Sequence, residues 1–166
     1  FQHSSIGNFV LGLSGANGRV RRARQFEIWG TLAARGNIDW KRVHIFLLDE
    51  RFGFESEEDS NAFLVRDSLV KVLNRRGAGF PESHLVFPDM SRASAADCAA
   101  EYQVRLASLL EQENGPHLVT IGLGYDMHIS GIFPEWYQAD PGRWAAATKK
   151  EIGVLVTETS IFEVRL

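Results

Sequence analysis

Asp126 and His128 stand two residues apart in Gly122-Leu123-Gly124-Tyr125-Asp126-Met127-His128-Ile129-Ser130-Gly131-Ile132-Phe133-Pro134, a stretch whose residue types could do chemistry together. A carboxylate at that spacing can orient an imidazole if a tight turn brings both side chains into one cleft, and an oriented neutral imidazole is a general base near neutral pH. Gly122 and Gly124 let the backbone turn sharply and leave N–H groups able to approach an anion. A histidine in a loop is more often a surface residue than a base, so the pair gains weight only where other parts of the chain converge on it.

Several elements must position this stretch. The apolar run Leu118 to Ile121 reads as a buried strand that delivers it to the sheet edge, where open α/β sheets bind ligands. Phe9-Val10-Leu11-Gly12-Leu13 reads as a first strand, followed by Ser14-Gly15-Ala16-Asn17-Gly18, a small-residue turn that can cradle phosphate with backbone N–H groups and a helix N-terminus. The helix that follows carries Phe26, Ile28, Trp29, Leu32 and Ala33 and ends near Gly36. Arg19, Arg21, Arg22 and Arg24 at its start oppose the helix dipole unless an anion lies nearby, and are read as solvated.

Val43 to Leu48 forms a second strand and runs into Asp49-Glu50-Arg51, three ionisable groups at the same sheet edge; His44 is read as an ordinary strand residue. Glu55, Glu57, Glu58 and Asp59 lack the alternating carboxylate pattern of a calcium loop and read as acids ahead of a helix capped by Asp59 or Ser60. Ala62, Val65, Leu69, Val72 and Leu73 recur at helical spacing as far as Asn74, and Gly77 to Pro81 breaks the chain. Leu85-Val86-Phe87 is a short strand. A second long helix opens near Ser91 to Ser94 and buries Ala99, Tyr102, Leu106, Leu109 and Leu110, with Cys98 an inert buried thiol, before Asn114-Gly115-Pro116 ends it. Trp136, Tyr137 and Trp144 surround an Asp140-Pro141-Gly142 turn in a loop or short helix, and Ile152 to Thr157 and Phe162 to Leu166 read as strands. This order of strands and helices predicts an α/β fold with a mostly parallel, Rossmann-like sheet and helices on both faces.

The 166 residues, 45% hydrophobic, suit a single domain, 1–166, with one core. A net charge of -3 argues against a nucleic-acid partner, since nothing in the balance neutralises a run of phosphates. The single cysteine excludes an internal disulfide and a cysteine-cluster zinc site. No apolar run approaches the roughly 20 residues that span a bilayer. These features set the expectation of a soluble, cytoplasmic protein with no membrane partner.

Three stretches together resemble the 6-phosphogluconolactonases, a family within a superfamily that includes the glucosamine-6-phosphate deaminases. They are Leu11-Gly12-Leu13-Ser14-Gly15; Asp39-Trp40 through Asp49-Glu50-Arg51 with Asp59-Ser60-Asn61; and Gly122 to Pro134. Deaminases resemble the second stretch but usually carry Tyr in place of Arg51. The resemblance implies a three-layer α/β sandwich that hydrolyses 6-phosphogluconolactone, a phosphorylated sugar lactone of the oxidative pentose phosphate pathway, with no metal or cofactor. It implies His128 as the general base, Asp126 as its partner, and Ser14, Gly15, Arg51 and Gly124 as the groups around the sugar phosphate.

This chain departs from the family pattern in two places. Gly15-Ala16-Asn17-Gly18-Arg19 stands where the family has Gly-Gly-Ser-Thr-Pro, and Met127-His128-Ile129-Ser130-Gly131 where it has Gly-His-Thr-Ala-Ser. If the position of Met127 has positive φ, its side chain costs about 1 kcal/mol or more. The family pattern also extends before the first motif and beyond the last, so the domain is expected to be incomplete at both ends. An inactive sugar-phosphate-binding relative and a glucosamine-6-phosphate isomerase or deaminase stay open beside the lactonase reading. The oligomeric state is not specified.

Overall fold

The computed structural model describes residues 7–15, 19–53, 57–135, 153–156 and 161–165. The expectations for Ala16, Asn17, Gly18, Glu55, Trp136, Tyr137, Trp144 and the Asp140-Pro141-Gly142 turn lie outside these residues, as do those for the side chains of Arg19, Arg21, Arg22 and Phe26.

Strands β1 (Phe9–Leu13), β2 (Val43–Leu47), β4 (Leu85–Val86) and β5 (Leu118–Val119) form a parallel sheet in the order β4-β2-β1-β5. The β1–β2 register runs from Phe9 opposite Val43 to Leu13 opposite Leu47. Side chains alternate between faces as the pleat requires, and each face carries its own core. Leu11, Leu13, Val43, Ile45 and Leu47 pack with Trp29 and Ala33 of helix α1 (Arg19–Ala34) and with Leu64, Val65, Leu69 and Leu73. The last four belong to α2 (Asn61–Val65), a π turn over Arg66–Val70 and α3 (Lys71–Arg75), which follow one another without a break. Val10, Phe46 and Leu48 face the other way, against Cys98, Ala99, Tyr102, Leu106, Leu109 and Leu110 of α4 (Ala95–Gln112). The stripe read from the sequence is therefore the buried face of α4. Gly12 makes room for this second core, because a Cβ there would sit 2.6 Å from the Phe46 ring.

Asp49-Glu50-Arg51 lies at the exit of β2 as expected, but it has a regular structure that the sequence did not indicate. It is a short strand, β3 (Asp49–Arg51), in a second, antiparallel sheet of order β3-β7-β6 with β6 (Gly153–Val156) and β7 (Ile161–Arg165). The chain leaves the first sheet at Leu48, whose N–H donates to the Leu13 carbonyl at 2.9 Å. Tyr102 holds the departure point, its hydroxyl donating to the Leu47 carbonyl at 2.6 Å and accepting from the Leu47 N–H at 3.0 Å. The expectation of a buried strand from Leu118 to Ile121 is corrected as well. Among the described residues only Leu118 and Val119 pair, with β1 on one side, and Leu118 and Ile121 are 52% and 65% exposed.

Cys98 is fully buried, and desolvation, with the nearby charges of Asp89 and Glu101, pushes its thiol up to about 11, so it is unreactive near neutral pH. Among the described residues no helix is long and apolar enough to cross a membrane, and no group of three or more His, Cys, Asp or Glu side chains could hold a metal ion.

Candidate functional site

The strand order sets the position of the site. From β1 the chain winds outward through α1 to β2 and on to β4, then returns through α4 to β5 on the other side of β1. The order thus reverses between β1 and β5, and in open α/β sheets the crevice outside the carboxyl ends at such a switch point is where ligands bind. Three segments with candidate residues leave the carboxyl ends of adjacent strands: Ser14-Gly15 after β1, Asp49-Glu50-Arg51 after β2, and residues 120–134 after β5.

The first two segments are joined by buried polar side chains. The Ser14 hydroxyl donates to Asp49 Oδ1 at 2.6 Å, and the Asn61 amide donates to Asp49 Oδ2 at 3.0 Å and to the Asp49 carbonyl at 2.7 Å. Ser14 itself is turned inward, with its carbonyl accepting from Gln25 Nε2 at 2.8 Å and its N–H facing Thr120 Oγ1 at 3.4 Å. Glu50 is fully buried and accepts four hydrogen bonds. The N–H groups of Arg51 and Asn61 donate to Oε1, each at 2.9 Å, and the Ser60 hydroxyl and the Ala62 N–H donate to Oε2 at 3.0 and 2.8 Å. Burial pushes this carboxyl above its ordinary value, although the Ala62, Asn61, Arg51 and Ser60 donors pull the other way. Four donors and no acceptor suit a carboxylate, so Glu50 satisfies N–H groups that the start of α2 leaves unpaired. Ser60 caps the same helix, accepting from the Phe63 N–H at 3.1 Å, which resolves the choice between Asp59 and Ser60.

The third segment folds on itself. The Gly124 N–H donates to the His128 carbonyl at 2.7 Å, the Ser130 N–H to the Gly122 carbonyl at 2.8 Å, and the Ile129 N–H to the Ile132 carbonyl at 3.0 Å. This turn brings Asp126 Oδ1 to 2.5 Å from His128 Nδ1, so the carboxylate fixes which ring nitrogen carries the proton. The ring stacks on Phe133, with centroids 4.7 Å apart and planes at 29°. The His128 side chain is 13% exposed and that of Asp126 41%. Slight desolvation pushes the Asp126 carboxyl up, but hydrogen bonds from the His128 ring and from the backbone of Asp126 and His128 outweigh it and hold the group below its ordinary value. Met127, between the pair, has φ of 71°, so the condition under which its side chain is costly is met, and Ser130 has φ of 51°.

Gly122 and Gly124 serve by close approach instead of by positive φ. A Cβ on Gly124 would lie 2.2 Å from His128 Nδ1 and 2.3 Å from Asp126 Oδ1, and its N–H is already given to the His128 carbonyl. A Cβ on Gly122 would be 3.3 Å from Ser14 Oγ and 3.4 Å from the Gly15 carbonyl oxygen. The loop carrying the His128–Asp126 pair therefore rests on the turn after β1, and that turn is tied to Asp49. Arg51 joins through the backbone of β3, half-buried, two residues beyond Asp49. The parts of Asp49, Glu50, Ser60 and Asn61 in the site, and the contact of Phe133 with His128, were not expected from the sequence; the signal present was the acid triplet placed ahead of a Ser-Asn helix start.

The chain matches the family model described as glucosamine-6-phosphate isomerases/6-phosphogluconolactonase over residues 3–156. It is 37% identical over 126 residues to a probable 6-phosphogluconolactonase of Dictyostelium discoideum, covering 75% of this chain and 49% of that protein. It is 33% identical over 102 residues to a 6-phosphogluconolactonase of Rhizobium meliloti (strain 1021), covering 61% and 40%. The chain thus spans about half the length, or less, of these relatives. Among solved structures, the 6-phosphogluconolactonase of Thermotoga maritima superposes with a TM-score of 0.65 at 19% identity, over 98% of this chain and 64% of that one. A monomeric glucosamine-6-phosphate deaminase superposes with 0.58 at 17%, over 92% and 55%. These similarities show the same α/β fold.

Proposed function

Because the chain belongs to the family of glucosamine-6-phosphate isomerases and 6-phosphogluconolactonases, we propose that it serves hydrolysis of a phosphorylated sugar lactone, 6-phosphogluconolactone to 6-phosphogluconate. The observation that carries this reading is the His128–Asp126 hydrogen bond in a loop that rests on the glycine turn across the switch point. With Nδ1 facing the carboxylate, Nε2 takes a proton from water. The hydroxide oxygen bonds to the lactone carbonyl carbon, the ring C–O bond breaks, and the departing ring oxygen takes the proton back from Nε2. The products are the open acid and its hydroxyl, with no metal or cofactor called on. Asp126, ionised and below its ordinary value, stabilises the imidazolium formed in between.

On the phosphate side, the Gly15 backbone, the N-terminus of α1 and the Arg51 guanidinium supply donors and positive charge. Ser14 acts through its hold on Asp49, and Gly124 by leaving room for the pair beneath the substrate.

The test is lactone hydrolysis by the purified protein, timed against spontaneous opening. His128→Ala is expected to lower the enzymatic rate by at least about 100-fold. Near-normal turnover by that variant removes His128 as the base. Ammonia release from glucosamine-6-phosphate, without lactone hydrolysis, would move the proposal to the isomerase and deaminase side of the family.

A further inference from the structure

Asn61 is 1% exposed, and it touches both sides of the buried polar cluster. Its Nδ2 grips Asp49 at two oxygens, while the other carboxylate oxygen of Asp49 holds the Ser14 hydroxyl. Its Oδ1 fills the space that a side chain on residue 15 would need, since a Cβ on Gly15 would lie 1.6 Å from it. The glycine turn is thus held from one side through Asp49 and stopped from the other by the amide. The backbone of Gly122 lies against Ser14 and Gly15. A shift of the turn by the width of a methyl group therefore reaches the loop that carries His128. The backbone N–H of Asn61, not its side chain, serves Glu50, so the start of α2 survives loss of the amide.

We propose that Asn61 is a positioning residue for the sugar-phosphate side of the pocket: its side chain is a latch that sets the turn after β1 against the Asp49–Arg51 strand. The proposal rests on the lactone-hydrolase reading above. It places the effect of Asn61 on substrate binding, through Gly15, more than on the proton transfer at His128.

The test is a double-mutant cycle of Gly15→Ala and Asn61→Ala, read as KM and kcat for 6-phosphogluconolactone and as Kd for 6-phosphogluconate by calorimetry. Each single change is expected to raise KM and Kd about tenfold, with kcat altered less than about threefold. The double variant is expected to bind better than Gly15→Ala alone, because the added methyl enters the space the amide leaves. A role confined to stability would lower the melting temperature but leave KM and Kd of the folded protein unchanged, and would give no coupling. Either result overturns the latch.

If Asn61→Ala does not fold, Asn61→Asp keeps the shape and replaces the donor with a second carboxyl facing Asp49. Two such groups share a proton at low pH, so the donor is restored there. The KM of this variant, relative to wild type, is expected to fall as pH is lowered from about 8 to about 5.5. A pH-independent ratio overturns the proposal. Coupling in 6-phosphogluconate binding without lactone hydrolysis would refute the reaction and leave the latch standing, whereas hydrolysis with zero coupling would do the reverse. Neither binding nor hydrolysis in the wild type would refute both.

Discussion

Around Glu50 and Asn61 the site is built of buried side chains with partners on every side, whereas the loop from Gly122 to Phe133 sits in the open and is held mainly by its own backbone. Glu50 and Asn61 are 0% and 1% exposed, and the links from Ser14 through Asp49 to Asn61 bind three separate segments of the chain. In the loop, by contrast, Leu123, Tyr125, Met127 and Ile129 are exposed, and two residues other than glycine hold positive φ. Regions with few buried contacts open more readily than regions tied by long-range polar links. The half proposed to hold substrate is thus the more tightly tied one, and the half that carries the proposed base owes its geometry to short-range bonds and close approaches. A change in the first half should be felt as lost stability or weaker substrate binding, and one in the second as lost rate.

The largest effect that would break this contrast is expected at Glu50. Glu50→Ala strips a fully buried acceptor from three N–H groups and one hydroxyl at the junction of β3 and α2. Unpaired buried donors cost roughly 1–3 kcal/mol each where water cannot reach them, so a loss of at least about 3 kcal/mol is expected from urea unfolding. Burial pushes the Glu50 carboxyl up in spite of its four donors, so Glu50→Ala also removes the cost of burying a charge. If that gain offsets the lost hydrogen bonds in stability, the variant will lose less than about 1 kcal/mol, and this half of the site is not the rigid one.

Gly124→Ala tests the other half. Its Cβ would collide with both members of the His128–Asp126 pair, so one of them must leave its position. The expected result is a drop of about 10- to 100-fold in lactone hydrolysis, as for a misplaced base. Unfolding is expected to shift by less than about 1 kcal/mol, since the atoms struck are side-chain ends that can swing away and Asp126 is 41% exposed. A large stability loss with the rate retained would reverse the roles assigned to the two regions.

The same contrast explains how far the sequence could be read. Helix α4 was legible because Ala99, Tyr102, Leu106, Leu109 and Leu110 repeat at helical spacing, and β1 and β2 because short apolar runs end at glycine or at charge. The His128–Asp126 pair was legible because both partners lie in one tight turn. Glu50 was not, because three of its four partners are backbone N–H groups, which no side-chain pattern announces. Nor was β3, whose three charged residues carry no alternation and whose partner strand lies more than about a hundred residues away at Ile161–Arg165. The exposure of Leu118 and Ile121 goes with β5 having, among the described residues, a single neighbouring strand, which composition does not encode. Gly124 was singled out for the wrong property: its conformational freedom is unused, and the missing side chain is what matters.

Met127 offers the smallest effect and the sharpest discrimination. Its φ of 71° lies in the left-handed region, where a side chain costs about 1 kcal/mol relative to glycine, and at 69% exposure the side chain recovers little of that by packing. Met127→Gly should therefore raise stability by about 0.5–1 kcal/mol, seen as a small rise in the urea midpoint, even though glycine is more costly to order elsewhere. The lactone hydrolysis rate should stay within about twofold of wild type or rise, because the hydrogen bond to Asp126 and the stack on Phe133 both hold His128 independently of the Met127 side chain. A fall in stability would mean that Met127 contacts outweigh its backbone strain. A stable variant with a much lower rate would show that the strained turn itself holds the imidazole in place, and the division between a rigid binding half and a locally held catalytic half would have to be redrawn around residue 127.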